Sequence, residues 1–327
     1  MNICNEFIEE QEKVSDAVKV ARMYYYQSMK TEVIAREMNM SRSTVSRLLS
    51  FARENGLVDI HVIDPNERPQ QLARKFLSHY NIKNVHVVPV PEMAGEASWL
   101  DRVAHFTAIH LNTLFDSKMV LGIAWGTTLT AISKHLIKKM TYNSHIIQLN
   151  GAGNTRTTGI EYAGEIITRF ANNYCAQAHL FPVPTYFDYA ETKAQLWKEG
   201  SIQHILEMQN MSDLLLYSIG AVNAGVPSYV HSAGYLDKKD YAELEKQKVV
   251  GDIATVFFRE DGSFDNIPIN DRASGPNLDF FRKKHGICVV SGLAKIAGLH
   301  GALNGKLLTE LIIVEPTARK FTEKYLA

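Results

Sequence analysis

The chain has few cysteines, no long apolar run and no net charge, and each absence argues against a class of protein. Three cysteines in 327 residues, without metal-ligand spacing, predict inert thiols in a reducing compartment. The lack of any run of about 20 apolar residues argues against a transmembrane helix. The N-terminal segment MNICNEFIEEQEK is acidic where a secretory signal is basic and then apolar, so we expect a cytoplasmic protein. The cysteines are Cys4, Cys175 and Cys288.

The charges of the whole chain balance, but one segment has an excess of basic residues. The 35 basic residues match 35 acidic ones, so the molecule as a whole is no general binder of polyanions. Between Ser15 and Asn55, however, seven basic residues stand against four acidic ones, a net charge of +3. A localised basic surface is sufficient for contacts to DNA phosphates. The basic residues are Lys19, Arg22, Lys30, Arg36, Arg42, Arg47 and Arg53, and the acidic ones are Asp16, Glu32, Glu37 and Glu54.

Motifs of metal and hydrolytic chemistry are also missing. The twelve histidines form no HxxxH or HExxH pattern, and His105 and His110 are five apart where four would place both on one helix face. His79 and His86 fall in different predicted elements. Neither a GxSxG elbow, nor a Walker motif, nor the spacing of a dinucleotide fingerprint occurs. We therefore expect no metal site, no cofactor and no catalytic residues.

What is present fits two globular domains. Hydrophobic residues make up 46% of the chain and charged residues 21%, values typical of a soluble protein with a sizeable core. The length suits two domains. The polar, proline-bearing stretch PNERPQ (65–70) marks the boundary between them. We predict a DNA-binding domain over residues 1–64, whose first residues are frayed, and a larger domain over residues 65–327.

The stretch TEVIAREMNMSRSTVSRLLS (31–50) predicts two short helices joined by a tight turn. Ile34, Ala35 and Met38 give the first helix one apolar face, and Asn39 tolerates the left-handed backbone of the turn. Ser41 is placed to cap a second helix that ends near Asn55. A preceding helix over about 15–27 would complete a trihelical unit. Its aromatic run, residues 24–26, could either stack on bases or pack in the core.

Polar and basic side chains are left on the outer face of this hairpin. Hydroxyls and arginines at the start of a recognition helix reach phosphates and base edges in the major groove. The alternative is an ordinary helical hairpin with a solvated polar face. We assign DNA binding to Thr31, Ser41, Arg42, Ser43, Thr44, Ser46 and Arg47.

From about residue 71, helical patterns alternate with short apolar runs. Runs such as VHVVPV, MVLGIAWG and GICVVSG are typical of buried parallel strands. Such alternation predicts a doubly wound, mostly parallel α/β fold. Further strands are predicted in HIIQLNGAGN, HLFPVPTYFD, DLLLYSIGAV, KVVGDIATVFF and LTELIIVEP.

Small and polar residues end three of these strands. Ligands of open α/β sheets bind beyond the carboxyl ends of the strands, where glycines and hydroxyls suit a phosphate group. Each loop alone could equally be a simple strand-to-helix turn. Asp188 and Asp252 could accept sugar hydroxyl protons or act as local turn residues, and Lys295 could pair with a phosphate. The predicted ligand-binding residues are Gly126, Thr127, Thr128, Asn150, Gly151, Ala152, Asp188, Gly251, Asp252 and Lys295.

Several of these stretches together resemble the SorC family of sugar-binding transcriptional regulators, and within it the deoxyribonucleoside regulator (DeoR-type) branch. The resemblance lies in the segment from ARMYYY to HVIDP and in LGIAWGTTL, QLNGAG, VVGDIATVFF, INDR and KIAGLHGALNGK. It implies an N-terminal helix-turn-helix joined to an effector domain similar in fold to ribose-phosphate isomerases and glucosamine-phosphate deaminases. Its implied partners are double-stranded operator DNA, a phosphorylated sugar and copies of the same chain, as dimers or tetramers.

The resemblance also assigns roles to single positions. Residues 126–128 match the family's phosphate loop, Gly251-Asp252 its GD motif, and Lys295 a C-terminal basic position. Several relatives carry Lys or Arg where Asn150 stands, and Asn supplies neither charge nor an imine-forming amine. Another sugar phosphate or a polyol phosphate is then as plausible an effector as deoxyribose phosphate. The alternative function is a sugar-phosphate isomerase or deaminase with an appended DNA-binding domain, because such enzymes share the fold.

Overall fold

A computed structural model of the chain describes residues 2–58, 68–91, 94–221 and 234–326, without the side chains of residues 2–11, 160 and 161. The chain divides into two compact units, residues 1–65 and 66–327. No helix within the described ranges is both long enough and apolar enough to cross a membrane.

Within the described residues, the N-terminal unit contains three α-helices. Helix α1 spans Asn2–Ala21 and continues into a π-helical turn at Arg22–Tyr26; α2 spans Thr31–Glu37 and α3 spans Arg42–Glu54. Helix α1 thus begins well before residue 15, where its start was predicted, and no glycine or proline interrupts it. The fraying of the first residues stays a prediction. Asn39, between α2 and α3, has the predicted left-handed backbone, with φ 53°.

Apolar residues of all three helices form one core in this unit. The predicted faces are confirmed: Ile34 and Ala35 of α2 and Val45 of α3 are buried together. Of the aromatic run at 24–26, only Tyr25 packs against this core, whereas Tyr24 and Tyr26 are exposed. The fully or mostly buried members are Ala17, Val20, Ala21, Ile34, Ala35, Val45, Leu48, Leu49 and Ala52.

The larger unit is built on a nine-stranded sheet, as far as the structure describes it. Seven strands are parallel in the order β1-β9-β8-β5-β2-β3-β4, while β6 pairs antiparallel with β5 and with β7. This confirms a mostly parallel α/β architecture. The strands are β1 Asn84–Val88, β2 Val120–Ile123, β3 His145–Gln148, β4 Gln177–His179, β5 Leu214–Gly220, β6 Val249–Ile253, β7 Val256–Arg259, β8 His285–Val290 and β9 Glu310–Val314.

Helices cover both faces of the sheet. Alternate residues of each central strand point to opposite faces, so Leu214 and Leu216 of β5 pack in one core and Leu215 in the other. The helices are α4 Arg68–His79, α5 Glu96–Leu114, α6 Thr127–Lys134, α7 Glu165–Tyr174, α8 Ala190–Leu196, α9 Gly200–Asn210, α10 Lys238–Lys246, α11 Pro268–Arg272, α12 Leu278–Arg282, α13 Ile296–Asn304 and α14 Glu315–Tyr325. A π-helical turn, Ile160–Gly164, precedes α7, and a 3₁₀ turn, Leu293–Lys295, precedes α13.

Two strand predictions differ from the structure. KVVGDIATVFF folds as the hairpin β6–β7 rather than as one strand, because Ala254 and Thr255 adopt positive φ angles of 46° and 71° and reverse the chain. HLFPVPTYFD leaves the sheet after His179, since Pro182 and Pro184 have no N–H to donate to a neighbouring strand. The segment LVDIHVID (57–64), whose alternating apolar and polar residues predict a further strand, lies mostly outside the described residues.

Candidate functional site

The carboxyl ends of three neighbouring strands meet at the centre of the sheet. Strand β5 lies between β2 and β8, and all three run parallel, so the segments that follow them lie side by side. The 126–128 loop follows β2, and the segment from Ser291 to Lys295 follows β8. Two of the three predicted loops are therefore brought together by the order of the strands.

Lys295 is the centre of the polar cluster at this point. Its Nζ donates hydrogen bonds to Ser218 Oγ at 2.8 Å and to Thr128 Oγ1 at 3.3 Å. The Thr128 hydroxyl in turn donates to Ser218 Oγ at 3.2 Å. Lys295 is only 8% exposed, and this burial lowers its pKa to about 8, against the raising effect of Cys288, Asp252 and Glu96. We call Thr128, Ser218 and Lys295 the lysine cluster.

Two carboxylates lie close enough to act on the Lys295 charge. Asp252 is buried on β6 next to Gly220, and its Oδ2 accepts a hydrogen bond from the Thr255 amide at 3.2 Å. Glu96 begins α5, and its Oε1 accepts from the amide of Leu293 at 3.1 Å. The lysine cluster, one buried amine and two hydroxyls, thus has two carboxylates near it.

The sequence analysis did not identify Ser218 or Glu96. Ser218 is a hydroxyl inside the otherwise apolar strand LLLYSIG, which is the one local signal that it carries. Glu96 is an acidic residue in the first turn of a helix, where such residues are common for dipole reasons alone. Its approach to Lys295 depends on a contact across the fold and not on spacing along the chain.

Helix α6 begins directly at the lysine cluster. Gly126, its N-cap residue, has φ 148°, a backbone conformation that other residues rarely adopt. A Cβ at this position would meet nothing within 4 Å, so the backbone borders open space. Thr127 and Thr128 form the first turn, with Thr128 buried. The positive end of a helix and a lysine amine together are suited to an anion.

Most polar backbone groups of the loop after β3 form hydrogen bonds to other parts of the fold. The amide of Gly151 donates to Ser274 Oγ at 2.9 Å, and its carbonyl accepts from Trp125 Nε1 at 2.9 Å and from Thr185 Oγ1 at 3.0 Å. The Ala152 carbonyl accepts from the hydroxyl of Tyr235 at 2.9 Å. Each of these three backbone groups is already used in a hydrogen bond within the protein.

Asn150, in the same loop, is different. Its side chain is 1% exposed, and its Oδ1 has no hydrogen-bond partner within the part of the chain that the structure describes. Its backbone carbonyl accepts from Gln148 Nε2 at 2.7 Å and from Trp125 Nε1 at 3.1 Å, which fixes the position of the residue. A buried amide oxygen without a partner is costly, so Asn150 is the member of this loop with capacity for a ligand.

Gly251 and Asp188 lie in different surroundings. A Cβ on Gly251 would lie 3.0 Å from the carbonyl oxygen of Gly220 and 3.3 Å from the Cα of Gly298, so the glycine allows β6 to pack closely on α13. Asp188 is exposed and lines a cleft of about 910 Å³ with Arg156 among others. The described lining of that cleft does not include the lysine cluster.

In the N-terminal unit, the start of α3 displays the predicted polar residues. Ser41 is the N-cap, and its Oγ accepts from the Thr44 amide at 3.0 Å, as predicted. The Ser41 hydroxyl also contacts those of Ser43 and Thr44, both at 2.8 Å. Four further residues complete the surface: Ser46 and Arg47 are exposed, Thr31 is half-buried at the start of α2, and the Arg42 guanidinium pairs with Glu32 at 3.1 Å.

Comparison with known proteins identifies the family. The sequence profile described as "Putative sugar-binding domain" matches residues 64–322. The deoxyribonucleoside regulator of Bacillus subtilis (strain 168) is 34% identical over 95% of this chain and 98% of its own length, and the sorbitol operon regulator of Klebsiella pneumoniae is 24% identical over 95% and 98%.

Solved structures agree with this result. A domain of a possible sugar-binding transcriptional regulator from Arthrobacter aurescens TC1 superimposes with a TM-score of 0.74 at 45% identity, over 80% of this chain and all of that one. Full-length SorC from Klebsiella pneumoniae has the same fold, with a TM-score of 0.69 at 21% identity, over 94% of this chain and 99% of that one. The chain therefore belongs to the SorC family of sugar-binding transcriptional regulators.

Proposed function

We propose that this protein is a cytoplasmic, DNA-binding transcriptional repressor of a carbohydrate or nucleoside catabolic operon. A phosphorylated sugar or polyol is its effector and binds at the lysine cluster. Residues 1–64 form the helix-turn-helix DNA-binding domain, and residues 65–327 bind the effector and mediate assembly into a dimer or tetramer. The division of the chain into compact units at residues 65 and 66 supports these boundaries.

The observation that carries the effector proposal is the burial of Lys295. A buried ammonium has lost its hydration, and the two hydroxyls that it contacts carry no charge. The carboxylates of Asp252 and Glu96 offset that loss only in part, since burial still lowers the pKa of Lys295 to about 8. A phosphate dianion beside Nζ and the start of α6 would supply further negative charge. Asn150 and Asp252 offer groups that suit sugar or polyol hydroxyls, since both have side-chain oxygens that accept hydrogen bonds.

The start of α3 supports the DNA-binding part of the proposal. Two arginines and four hydroxyl residues occupy its first six positions and N-cap, and α3 is held by a buried apolar face against α1 and α2. A single recognition helix reads few base pairs, so specific binding requires at least a dimer on a repeated or palindromic site. The relatives named above as operon and nucleoside regulators are consistent with this role.

The effector proposal is tested by thermal unfolding of the full chain against a panel of sugar and polyol phosphates and their unphosphorylated forms. A ligand that binds the native state raises Tm by an amount that grows with the ratio of its free concentration to its Kd. We expect a rise with one phosphorylated compound and none with its unphosphorylated form. A flat panel would contradict the effector proposal and leave DNA binding as a separate question.

Two lysine variants make this test specific for the site. Lys295→Met keeps an unbranched side chain only one atom shorter and removes its charge, so it should abolish the ligand-induced rise in Tm. Lys193→Met is the matched control, because Lys193 is half-buried and donates to the Asp271 carbonyl at 3.2 Å, outside the lysine cluster. Equal loss of the response in both variants would place the effector elsewhere.

The alternative function, an isomerase or deaminase acting on sugar phosphates, is favoured by one observation. Lys295 has a pKa of about 8, lowered by burial, and the carboxylates of Glu96 and Asp252 are near it, which is a possible acid–base set. The relatives are named as regulators, which favours the first function. Incubation with pentose and hexosamine phosphates decides between them: product formation above the no-protein control, lost in Lys295→Met, would establish the enzyme.

A further inference from the structure

Three histidines surround one buried carboxylate near the amino ends of β8 and β9, whereas the lysine cluster lies at the carboxyl ends of the strands. Glu310 is the first residue of β9 and has no exposed surface. Its Oε1 accepts from His86 Nε2 at 2.9 Å and from His110 Nε2 at 2.5 Å, and its Oε2 accepts from His285 Nε2 at 2.8 Å. We call these four residues the histidine cluster.

We propose that the histidine cluster is a binding site for a divalent transition metal, with Zn²⁺ as the best fit. Two imidazole nitrogens and one carboxylate oxygen, from His86, His110 and Glu310, are ligands that Zn²⁺ takes in tetrahedral sites, with a water at the fourth position. One ligand atom each from His86, His110 and Glu310 already lies within 4.8 Å of the others. The site is independent of the proposed regulatory function and of the residues that carry it.

Four separate elements hold the cluster in place. Strand β9 lies between β1, which carries His86, and β8, which begins with His285. His110 comes from α5, which packs on the sheet, and its ring lies 4.4 Å from that of His86, centroid to centroid. Because the four residues come from four elements, no spacing rule along the chain can detect them. The sequence analysis compared histidines within or between neighbouring elements and for that reason expected no metal site.

His285 holds the carboxylate from its other side. Its Nε2 donates to Glu310 Oε2 at 2.8 Å, while Oε1 faces His86 and His110. A hydrogen bond of this kind orients a ligating carboxylate. His285 therefore supports the site without being one of its ligands.

The three ligand atoms are close to the spacing that an ion requires. Ligand atoms on a tetrahedral zinc with bonds of about 2.0–2.1 Å lie about 3.3 Å apart. The contacts of Glu310 Oε1 with His86 and His110 must then open by less than an ångström, and the two imidazole nitrogens, within 4.8 Å of each other, must approach one another. The side chains of His86 and His110 are 30% and 20% exposed, so an ion can enter from solvent.

The competing explanation is a buried carboxylate that is simply satisfied by three neutral donors. The two explanations differ in stoichiometric metal affinity. We would strip the full, untagged chain of metal, add Zn²⁺, and measure bound metal per chain after gel filtration together with the change in Tm. One zinc per chain and a Tm that rises with zinc concentration are expected. Absence of stoichiometric zinc would overturn the proposal.

Variants then locate the metal. His110→Ala should lower zinc affinity by at least tenfold, because it removes one of three protein ligands. His179→Ala is the matched control: His179 also lies in a contact between imidazoles, 2.9 Å from His145, but does not touch Glu310. Equal affinity in His110→Ala and the wild type would overturn the proposal.

A spectroscopic readout keeps the proposal testable if the alanine variant fails to fold. Co²⁺ in place of Zn²⁺ gives intense visible absorption bands in a four-coordinate site and weak ones in a six-coordinate aqueous environment. We expect intense bands in the wild type and in His179→Ala, and their loss in the conservative variant Glu310→Gln. Weak, octahedral-type bands in the wild type would contradict a built tetrahedral site.

Discussion

Folding removes the Lys295 ammonium from water, and its pKa falls to about 8 because burial disfavours the charged form. The proposed effector carries a phosphate whose second pKa is about 6, so it is a dianion above neutral pH. Binding therefore depends on the ammonium being protonated. Below pH 8 most molecules carry that charge, whereas above it the neutral amine predominates.

This gives a prediction for pH dependence. Affinity for the phosphorylated effector should be nearly constant from pH 7 to just below 8 and then fall, approaching about tenfold per pH unit above the pKa of Lys295. Isothermal titration calorimetry at several pH values measures it, and proton uptake should accompany binding near pH 8. Lys295→Met should bind weakly with no such slope; a wild-type affinity that is flat to pH 9.5 would rule out Lys295 as the phosphate partner.

A substitution at Gly151 can show whether this glycine has a structural role or a ligand-binding role. A Cβ at this position would lie 2.3 Å from the carbonyl oxygen of Val183 and 2.6 Å from that of Pro184, both of them backbone atoms. We expect Gly151→Ala to lower the free energy of unfolding by about 1–3 kcal/mol, measured by urea denaturation without any ligand. Gly200→Ala, where a Cβ meets nothing within 4 Å, should leave it unchanged or slightly higher. Unaltered stability of Gly151→Ala would return this glycine to the list of ligand-binding residues.

Single residues were predictable where the signal is local. The cap at Ser41, the left-handed Asn39 and the buried face of α2 and α3 follow from spacing over a few residues, and all are present. Ser218 and Glu96 were not predictable, because their importance arises from the position of Lys295 in the folded sheet. The residues predicted for binding effector and DNA stay predictions, to be tested by the variants described here.

At the scale of elements, α3 carries the most specific prediction. Arg47 is exposed near its start, and its Nη2 lies 3.5 Å from Thr44 Oγ1. Arg47→Ala should weaken binding to the selected operator by about 1–3 kcal/mol if the guanidinium pairs with a guanine. Fluorescence anisotropy with duplexes enriched from a randomised library by the full chain measures this effect.

Arg53→Ala is the matched control for that experiment. Arg53 is exposed at the far end of the same helix, where its Nη2 donates to Ser50 Oγ at 3.2 Å. Its removal should change operator affinity much less than the removal of Arg47. Similar losses in the two variants would mean that the helix contributes only general basic charge. Failure of the full chain to enrich any sequence would contradict the DNA-binding proposal itself.

Elements were predicted well where hydrophobic periodicity decides the structure, and less well where the chain reverses. The strands β2, β3, β5 and β9 each fall within a predicted run, and β1 and β8 each begin one residue before theirs. The hairpin β6–β7 was missed because its turn residues, Ala254 and Thr255, are not the glycine or asparagine that usually mark such a turn. Helix α6 ends at Lys134, whereas the apolar periodicity of TLTAISKHLIKKM (128–140) predicts a helix that continues to Met140.

At the scale of the whole molecule, the order of the strands decides which loops become neighbours. Sequence periodicity predicted a mostly parallel sheet but not that β5 would lie between β2 and β8. That order brings Thr128, Ser218 and Lys295 together at the carboxyl ends of the strands. Near the amino end of β9, which lies between β1 and β8, the same order brings together the histidine cluster. Both clusters thus depend on long-range pairing, which spacing along the chain does not encode.

Regulation requires that the two proposed sites share one equilibrium. An effector can change operator affinity only by as much as it prefers one arrangement of the oligomer over another, typically about 1–3 kcal/mol or roughly 5–150-fold. For a repressor released by its effector, operator affinity should fall by a factor in this range when the effector is saturating. By linkage, saturating operator must lower effector affinity by the same factor.

Both factors can be measured on the same preparation, by anisotropy for DNA and by calorimetry for the effector, at one salt concentration because phosphate contacts make DNA affinity salt-dependent. Lys295→Met should bind operator as tightly as the wild type and should not respond to effector, since the variant loses only the phosphate partner. A variant that still releases operator on addition of effector would show that the regulatory ligand binds away from the lysine cluster. Wild-type operator affinity that is unchanged at saturating effector would show that ligand binding and DNA binding are uncoupled.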